Sequence, residues 1–213
     1  MISIKTYKPR NRVTTGLLIA VLLVGTTIWA QTVKAHGGGH IGLIETQMDK
    51  KAALDATLPS SAKIIKKMVV LDQQAITWAS EIYGVRLKEG VYRYFLAQDK
   101  QNGKNIGGSV VQTSRFRRGE LSLVVGLDAN QRITNVVLMG VNKNYLFELE
   151  TNVGKGIIFT YQGMSVNEIV NAEALSYTNK TVQEFAVVLR DATVLLATLM
   201  RSKQHTANKS QGS

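Results

Sequence analysis

The residues between 176 and 184 hold the densest set of groups that could do chemistry. Ser176-Tyr177-Thr178-Asn179-Lys180-Thr181 places aliphatic hydroxyls, a phenol, a carboxamide and an ammonium group just before a long apolar-periodic stretch. Such groups at the start of a helix serve one of two ends. Thr181-Val182-Gln183-Glu184 has the form of a capping box, in which hydroxyl and carboxylate satisfy the unpaired N–H groups of the first turn. Alternatively, the same N–H groups and the helix dipole attract an anion such as a phosphate. The two readings predict the same local geometry, so the sequence leaves both open.

Other chemistry is sparse. His36 and His40 flank three glycines; the spacing reads first as a flexible linker and only weakly as a metal site. Were the chain cut after Ala35, the new amino terminus and the His36 imidazole could chelate copper, with His40 as a second imidazole. Arg115-Phe116-Arg117-Arg118 reads as a solvated turn, with a docking surface for an acidic partner as the alternative. The chain has no cysteine, which excludes disulfides, c-type haem attachment, thiolate zinc sites and iron–sulfur clusters. No Ser/His/Asp arrangement, paired-carboxylate motif or P-loop supports hydrolysis or phosphoryl transfer.

The elements that must position these residues read as an α+β domain. Glu45–Leu58 is expected to be helical and to stop at Pro59. Ala62–Leu71 is a β-branched strand, and Asp72 caps a helix through Tyr83 that Gly84 ends. Gly90–Gln98, Ile106–Ser114, Leu121–Leu127 and Ile133–Val141 then read as four strands of an antiparallel meander. Asn102-Gly103, Arg115–Gly119 and Asp128–Gln131 supply its turns. Tyr145–Tyr161 is ambiguous, interrupted by Gly154 and Gly156. Val166–Asn171 is a short helix. Thr181 to about Arg201 is a long one, with Phe185, Val188, Leu189, Ala192, Leu196 and Leu199 on one face. Ser202–Ser213 reads as a polar, disordered tail. Helices packed on an antiparallel sheet follow.

Ahead of the domain, Val13–Ala30 is eighteen residues without a charge, long enough as a helix for ~27 Å of a ~30 Å hydrocarbon core. Lys5, Lys8, Arg10 and Arg12 precede it, and no acidic residue occurs in the first thirty-five. This asymmetry places the amino terminus in the cytoplasm and sends the rest outward. Ile28-Trp29-Ala30 and Val33-Lys34-Ala35 both end as a signal peptidase accepts. A retained single-pass transmembrane helix is the preferred reading and a cleaved signal the other. The expected organisation is therefore a basic segment with anchor or signal (1–35), a Gly/His linker (36–44), a folded domain (45–202) and a tail (203–213). The net charge is +11, of which the part beyond residue 35 carries 21 basic against 15 acidic residues, or +6. That balance suits anionic headgroups or an acidic partner, while no basic run interleaved with aromatics supports nucleic acid.

Several stretches in sequence order resemble a known family. They are Ala53-Leu54-Asp55-Ala56-Thr57-Leu58-Pro59 with Ala62-Lys63; Tyr92–Ala97 with Asn102–Gly108; Leu123-Val124-Val125-Gly126-Leu127-Asp128 with Ile133-Thr134-Asn135-Val136; and Glu173-Ala174-Leu175-Ser176-Tyr177-Thr178-Asn179-Lys180-Thr181. Together they resemble the FMN-binding domain of the electron-transport subunits of the Rnf complex and the Na+-translocating NADH:quinone reductase, over roughly residues 50–200. The resemblance implies a domain in the periplasm tethered to a bacterial inner membrane, electron transfer rather than stand-alone catalysis, and partners among the subunits of a membrane redox complex. It also implies FMN phosphate near Ser176, Thr178, Asn179 and Lys180, with Tyr145 or Tyr177 available to stack on the ring. The family's D-A-I-S-G-A-T-x-T pattern is altered here. Tyr177 and Thr178 replace its small residues, and Asn179 replaces the threonine that can be esterified to flavin. Asparagine has no hydroxyl, so covalent attachment there is excluded, Thr178 and Thr181 being the nearby alternatives. Asn142-Lys143-Asn144-Tyr145 stands where the family has E-T-P-G-L-G. Noncovalent flavin is therefore the leading expectation, and a cofactor-less structural or assembly subunit is the alternative.

Overall fold

A computed structural model describes residues 42–172 and 179–209, with side chains through 202. The expected membrane segment Val13–Ala30, the pair His36 and His40, and Ser176, Tyr177 and Thr178 lie outside the described residues. Among the described residues no helix is long and apolar enough to cross a membrane.

The first elements among the described residues are a short strand, β1 (Ile44–Thr46), and helix α1 (Lys50–Thr57). The expected helix over Glu45–Leu58 is thus shorter and starts later. Asp49 is the cap: its carboxylate accepts from the N–H groups of Lys51 (2.8 Å) and Ala52 (3.0 Å). Ile44–Thr46 satisfies its backbone against another strand instead. Next come β2 (Lys63–Leu71) and α2 (Gln73–Tyr83). As expected, Asp72 caps α2 through the Ala75 N–H (2.9 Å), and Gly84 closes it at φ +66°, a left-handed conformation that costs glycine nothing.

Four long strands follow: β3 (Gly90–Gln98), β4 (Asn105–Phe116), β5 (Gly119–Asp128) and β6 (Ile133–Asn142). Their turns are built by acidic side chains. Asp99 accepts from the N–H groups of Gln101 and Asn102, and Asp128 from those of Asn130 and Arg132. The turn expected over Arg115–Gly119 is tighter, because Arg115 still pairs with Glu120 and Phe116 with Gly119. Burial of the Phe116 ring at 1% exposure holds the strand to its last residue.

The ambiguous region divides at its glycines. Helix α3 (Lys143–Asn152) precedes Gly154 and Gly156, both at positive φ. The two-residue strand β7 (Ile157–Ile158) and a 3-10 turn (Phe159–Tyr161) follow. After helix α4 (Val166–Ala172) comes α5 (Lys180–Lys209). It runs eight residues past Arg201, so the expected disordered tail is helical through Lys209. Lys203, Gln204, Ala207 and Lys209 favour continuation of a helix already nucleated by packing.

The strands form one antiparallel sheet in the order β1-β6-β5-β4-β3-β2, with β7 also on β6. β2 to β6 are a meander. One face carries Tyr94, Leu123, Val125, Val136 and Leu138, packed against α5. Phe185, Val188, Leu189, Ala192, Leu196 and Leu199 are all buried, as their spacing predicts. Leu195 on the flank and Val194 and Ala197 on the opposite side are buried too, since α2, α3 and α4 also contact this helix. Each large side chain so buried contributes roughly 1.5–3 kcal/mol. On the other face α1 lies over β5 and β6, with Ala53 against Val124 and Val137.

Candidate functional site

The amino-terminal end of α5 meets the β4–β5 turn and α3. The described residues brought together there are Arg117 from the turn, Tyr145 and Glu148 from α3, and Asn179, Lys180, Thr181 and Glu184 from α5. The cap of α5 is Asn179. Its side-chain oxygen accepts from the N–H groups of Thr181 (2.8 Å) and Val182 (3.1 Å). The capping box expected at Thr181–Glu184 is therefore not formed. The Thr181 side chain, almost fully buried, points to α3 and donates its hydroxyl to the Glu148 carboxylate at 2.7 Å. Glu184 turns to Arg117, accepting from its backbone N–H at 3.1 Å and its guanidinium at 3.4 Å. Those two bonds hold Arg117 at φ +54°, a conformation unfavourable for a side chain with a Cβ.

A true capping box sits one helix earlier. The Ser165 N–H and hydroxyl both donate to Glu168 at 2.7 Å, and the Glu168 N–H reaches back to the Ser165 hydroxyl at 3.3 Å.

The electrostatics of the α5 end follow from these contacts. The Thr181 hydroxyl, then the Asn179 side chain, hold the Glu148 carboxyl below its ordinary range, with the Arg117 charge adding to the effect. An ionised carboxylate thus already complements the positive end of the helix dipole. Tyr145 is engaged as well. The Arg117 guanidinium lies 5.6 Å from its ring centroid, and Phe116 meets it edge-on at 6.0 Å. Lys180 is exposed.

Among the described residues, the polar groups at the α5 start are engaged with one another. Two of the helix-start amides are taken by Asn179, and Glu148 would set a like charge beside an incoming phosphate. Arg117, the strongest nearby cation, is paired with Glu184 and covers the Tyr145 ring. Residues 173–178, where the expected Ser176 and Thr178 contacts fall, are outside the described set. Sequence reasoning assigned Glu148 no role and read Arg117 as part of a solvated turn or, alternatively, a docking surface. Their partners lie 33 and 67 residues away, and no local pattern signals a contact of that span.

The other stretches that carry the family resemblance meet in a different place, where α1 ends on the sheet. Thr134 donates its hydroxyl to the Thr57 carbonyl (2.7 Å), and the Asn135 amide donates to the Ala56 carbonyl (2.6 Å). These bonds satisfy carbonyls left open at the helix end. Gly126 lies beneath them: a Cβ there would stand 2.5 Å from the Thr57 carbonyl oxygen. In the same contact the Thr57 and Ser109 hydroxyls pair at 3.0 Å. In this chain Gly126, Thr134 and Thr57 are therefore packing residues. No cluster of three or more His, Asp or Glu side chains able to hold a metal occurs among the described residues.

The site and sheet define an α+β domain with helices on both faces of a seven-stranded antiparallel sheet. Comparison with known proteins adds no relative: no family model, no curated protein and no solved structure matches the chain.

Proposed function

We propose that this chain is a membrane-tethered subunit acting outside the cytoplasm, in which a domain resembling the FMN-binding type serves a membrane redox complex through docking rather than through a bound flavin. The uncharged run Val13–Ala30 behind four cations supports the tether and its orientation. The observation that carries the cofactor-free form is the internal closure of the α5 amino terminus, with Asn179 on the helix-start amides and the Glu148 carboxylate on Thr181. A helix end built to receive phosphate presents those amides to the ligand; here the Asn179 side-chain oxygen takes two of them.

The test is an absorbance spectrum of the native, membrane-extracted chain, followed by titration with FMN and acid precipitation. The expected result is colourless protein that takes up no FMN and co-purifies with a larger membrane complex, which fails to assemble when the chain is deleted. Yellow protein would overturn the cofactor-free form. It would instead assign electron transfer by noncovalent FMN at Ser176, Thr178 and Lys180 if the colour is lost on precipitation, and attachment at Thr178 or Thr181 if it is kept.

A further inference from the structure

Helix α1 covers only the β5–β6 half of its sheet face, and the β2–β3 half is open. Strand alternation puts Ile64, Lys66, Met68 and Val70 of β2 on that open face, opposite Ala97, Phe95, Arg93 and Val91 of β3. Met68, Val70 and Val91 are 62%, 65% and 63% exposed, values uncommon for apolar side chains clustered on one surface. On this face β2 and β3 carry Lys66 and Arg93 and no acidic residue, while Lys63 and Lys67 alternate to the opposite face. Where this face meets α1 there is a hollow of about 480 Å³, floored by Ile64 and Phe95 and rimmed by Lys50, Lys51, Lys66 and Arg93. Lys50 lies 5.3 Å from the centroid of the Phe95 ring. Asp55 is the acidic residue on this rim, and Lys51 faces it at 4.0 Å.

We infer that the open β2–β3 face docks onto the surface of a bilayer rich in anionic lipid, with Met68, Val70 and Val91 entering the headgroup boundary and Lys66, Arg93 and Lys50 meeting the phosphates. The charge pattern selects this occupant. Apolar side chains ringed by cations match a surface whose outer layer is anionic and whose next layer is apolar, whereas a second copy of the same face would set its cations against one another. The inference rests on the tethered reading for proximity alone; the recognition chemistry is that of the face itself.

The chain contains no cysteine, so a single one can be labelled cleanly. Full-length chain carrying Val70→Cys, labelled with an environment-sensitive fluorophore, is placed in nanodiscs of phosphatidylcholine alone or of phosphatidylcholine with phosphatidylglycerol. The expected result is a blue shift with phosphatidylglycerol that fades at 1 M salt, where screening shortens to ~3 Å. Phe147→Cys, an exposed site on α3, should give no shift. Each cation near an anionic surface is worth about fivefold in partitioning, so Lys66→Gln with Arg93→Gln should lower the docked-to-free ratio roughly 25-fold. An unshifted Val70 probe in phosphatidylglycerol discs would overturn the inference. So would an equal shift in neutral lipid, or a shift in lipid-free detergent that grows with protein concentration, which would assign the face to a second copy. Retention in vesicles after an alkaline wash reports the tether separately. A chain that washes off yet floats only with phosphatidylglycerol vesicles, with the probe shifted, keeps this inference and removes the tether.

Discussion

Glu148 carries the sharpest consequence at the scale of single residues. Hydrogen bonds from Thr181 and Asn179 lower its carboxyl pKa below the ordinary 4.5, so the folded chain binds this proton less readily than the unfolded one. The stability it contributes is complete above the ordinary value and fades as pH falls through the lowered one. Glu148→Gln should therefore melt below the wild type at neutral pH, and the gap should narrow as pH falls below the ordinary carboxylate value and through the lowered one. Thermal melts across that range check it; a gap that stays constant would mean the carboxylate's charge contributes nothing. Glu168, likewise lowered by Ser165, is present in both proteins and cancels. The cap illustrates what could be read in advance. Asn is among the best helix caps, but Thr181 with Glu184 three residues later also had the right form. Choosing between them depended on Arg117, which withdraws Glu184 from the helix start. The same Ser-x-x-Glu pattern works as a box at Ser165–Glu168, where no distant cation displaces the capping bonds and Arg132 merely flanks Glu168 at 3.8 Å.

At the scale of elements, α1 and β5–β6 behave as one joint. The α1 carbonyls are received by Thr134 and Asn135, and Gly126 lets the helix end approach. Gly126→Ala should push α1 off the sheet and cost ~1–3 kcal/mol, as overpacking does elsewhere, with the loss read by urea titration. No loss would show that the helix end shifts freely. Elements whose signals are local were legible: the meander strands, the Asp72-to-Gly84 helix and the Asp99 and Asp128 turns all lie where their residues indicate. The start of α1 was not. Glu45 and Thr46 read as the first residues of a helix and Ile44 as linker, and only the pairing of all three with Gly140–Asn142 of β6 makes them a strand. Of the candidate site, its place at the start of α5 was legible; its occupation by Glu148 was not, for the same reason of distance.

Across the whole molecule, the α+β class and the order of β3 to β6 could be read because a meander joins neighbours in sequence, whereas the places of β1 and β7 on β6 could not. The depth of α5 could not: one apolar face was visible, but burial of its far side needs α2, α3 and α4 in place. The two sheet edges are protected differently. β1 is three residues long, whereas β2 presents nine with Lys63, Lys66 and Lys67 among them, a pattern that discourages strand addition by another chain. Replacing Lys63 and Lys67 by threonine should raise concentration-dependent self-association, measurable by light scattering in detergent, with the monomer's circular dichroism unchanged. Unaltered scattering would assign the protection to other groups.

The position of α5 in the chain also sets an order of events. It follows every strand of the sheet, yet it supplies the cover for the sheet's main apolar face. At a synthesis rate of ~5–20 residues per second, β2 to β6 leave the ribosome well before the residues that bury them. The core that Leu123, Val125 and Leu138 belong to is complete only when Phe185–Leu199 arrives. A chain with this arrangement completes the cover of its main apolar face only once its last helix is made.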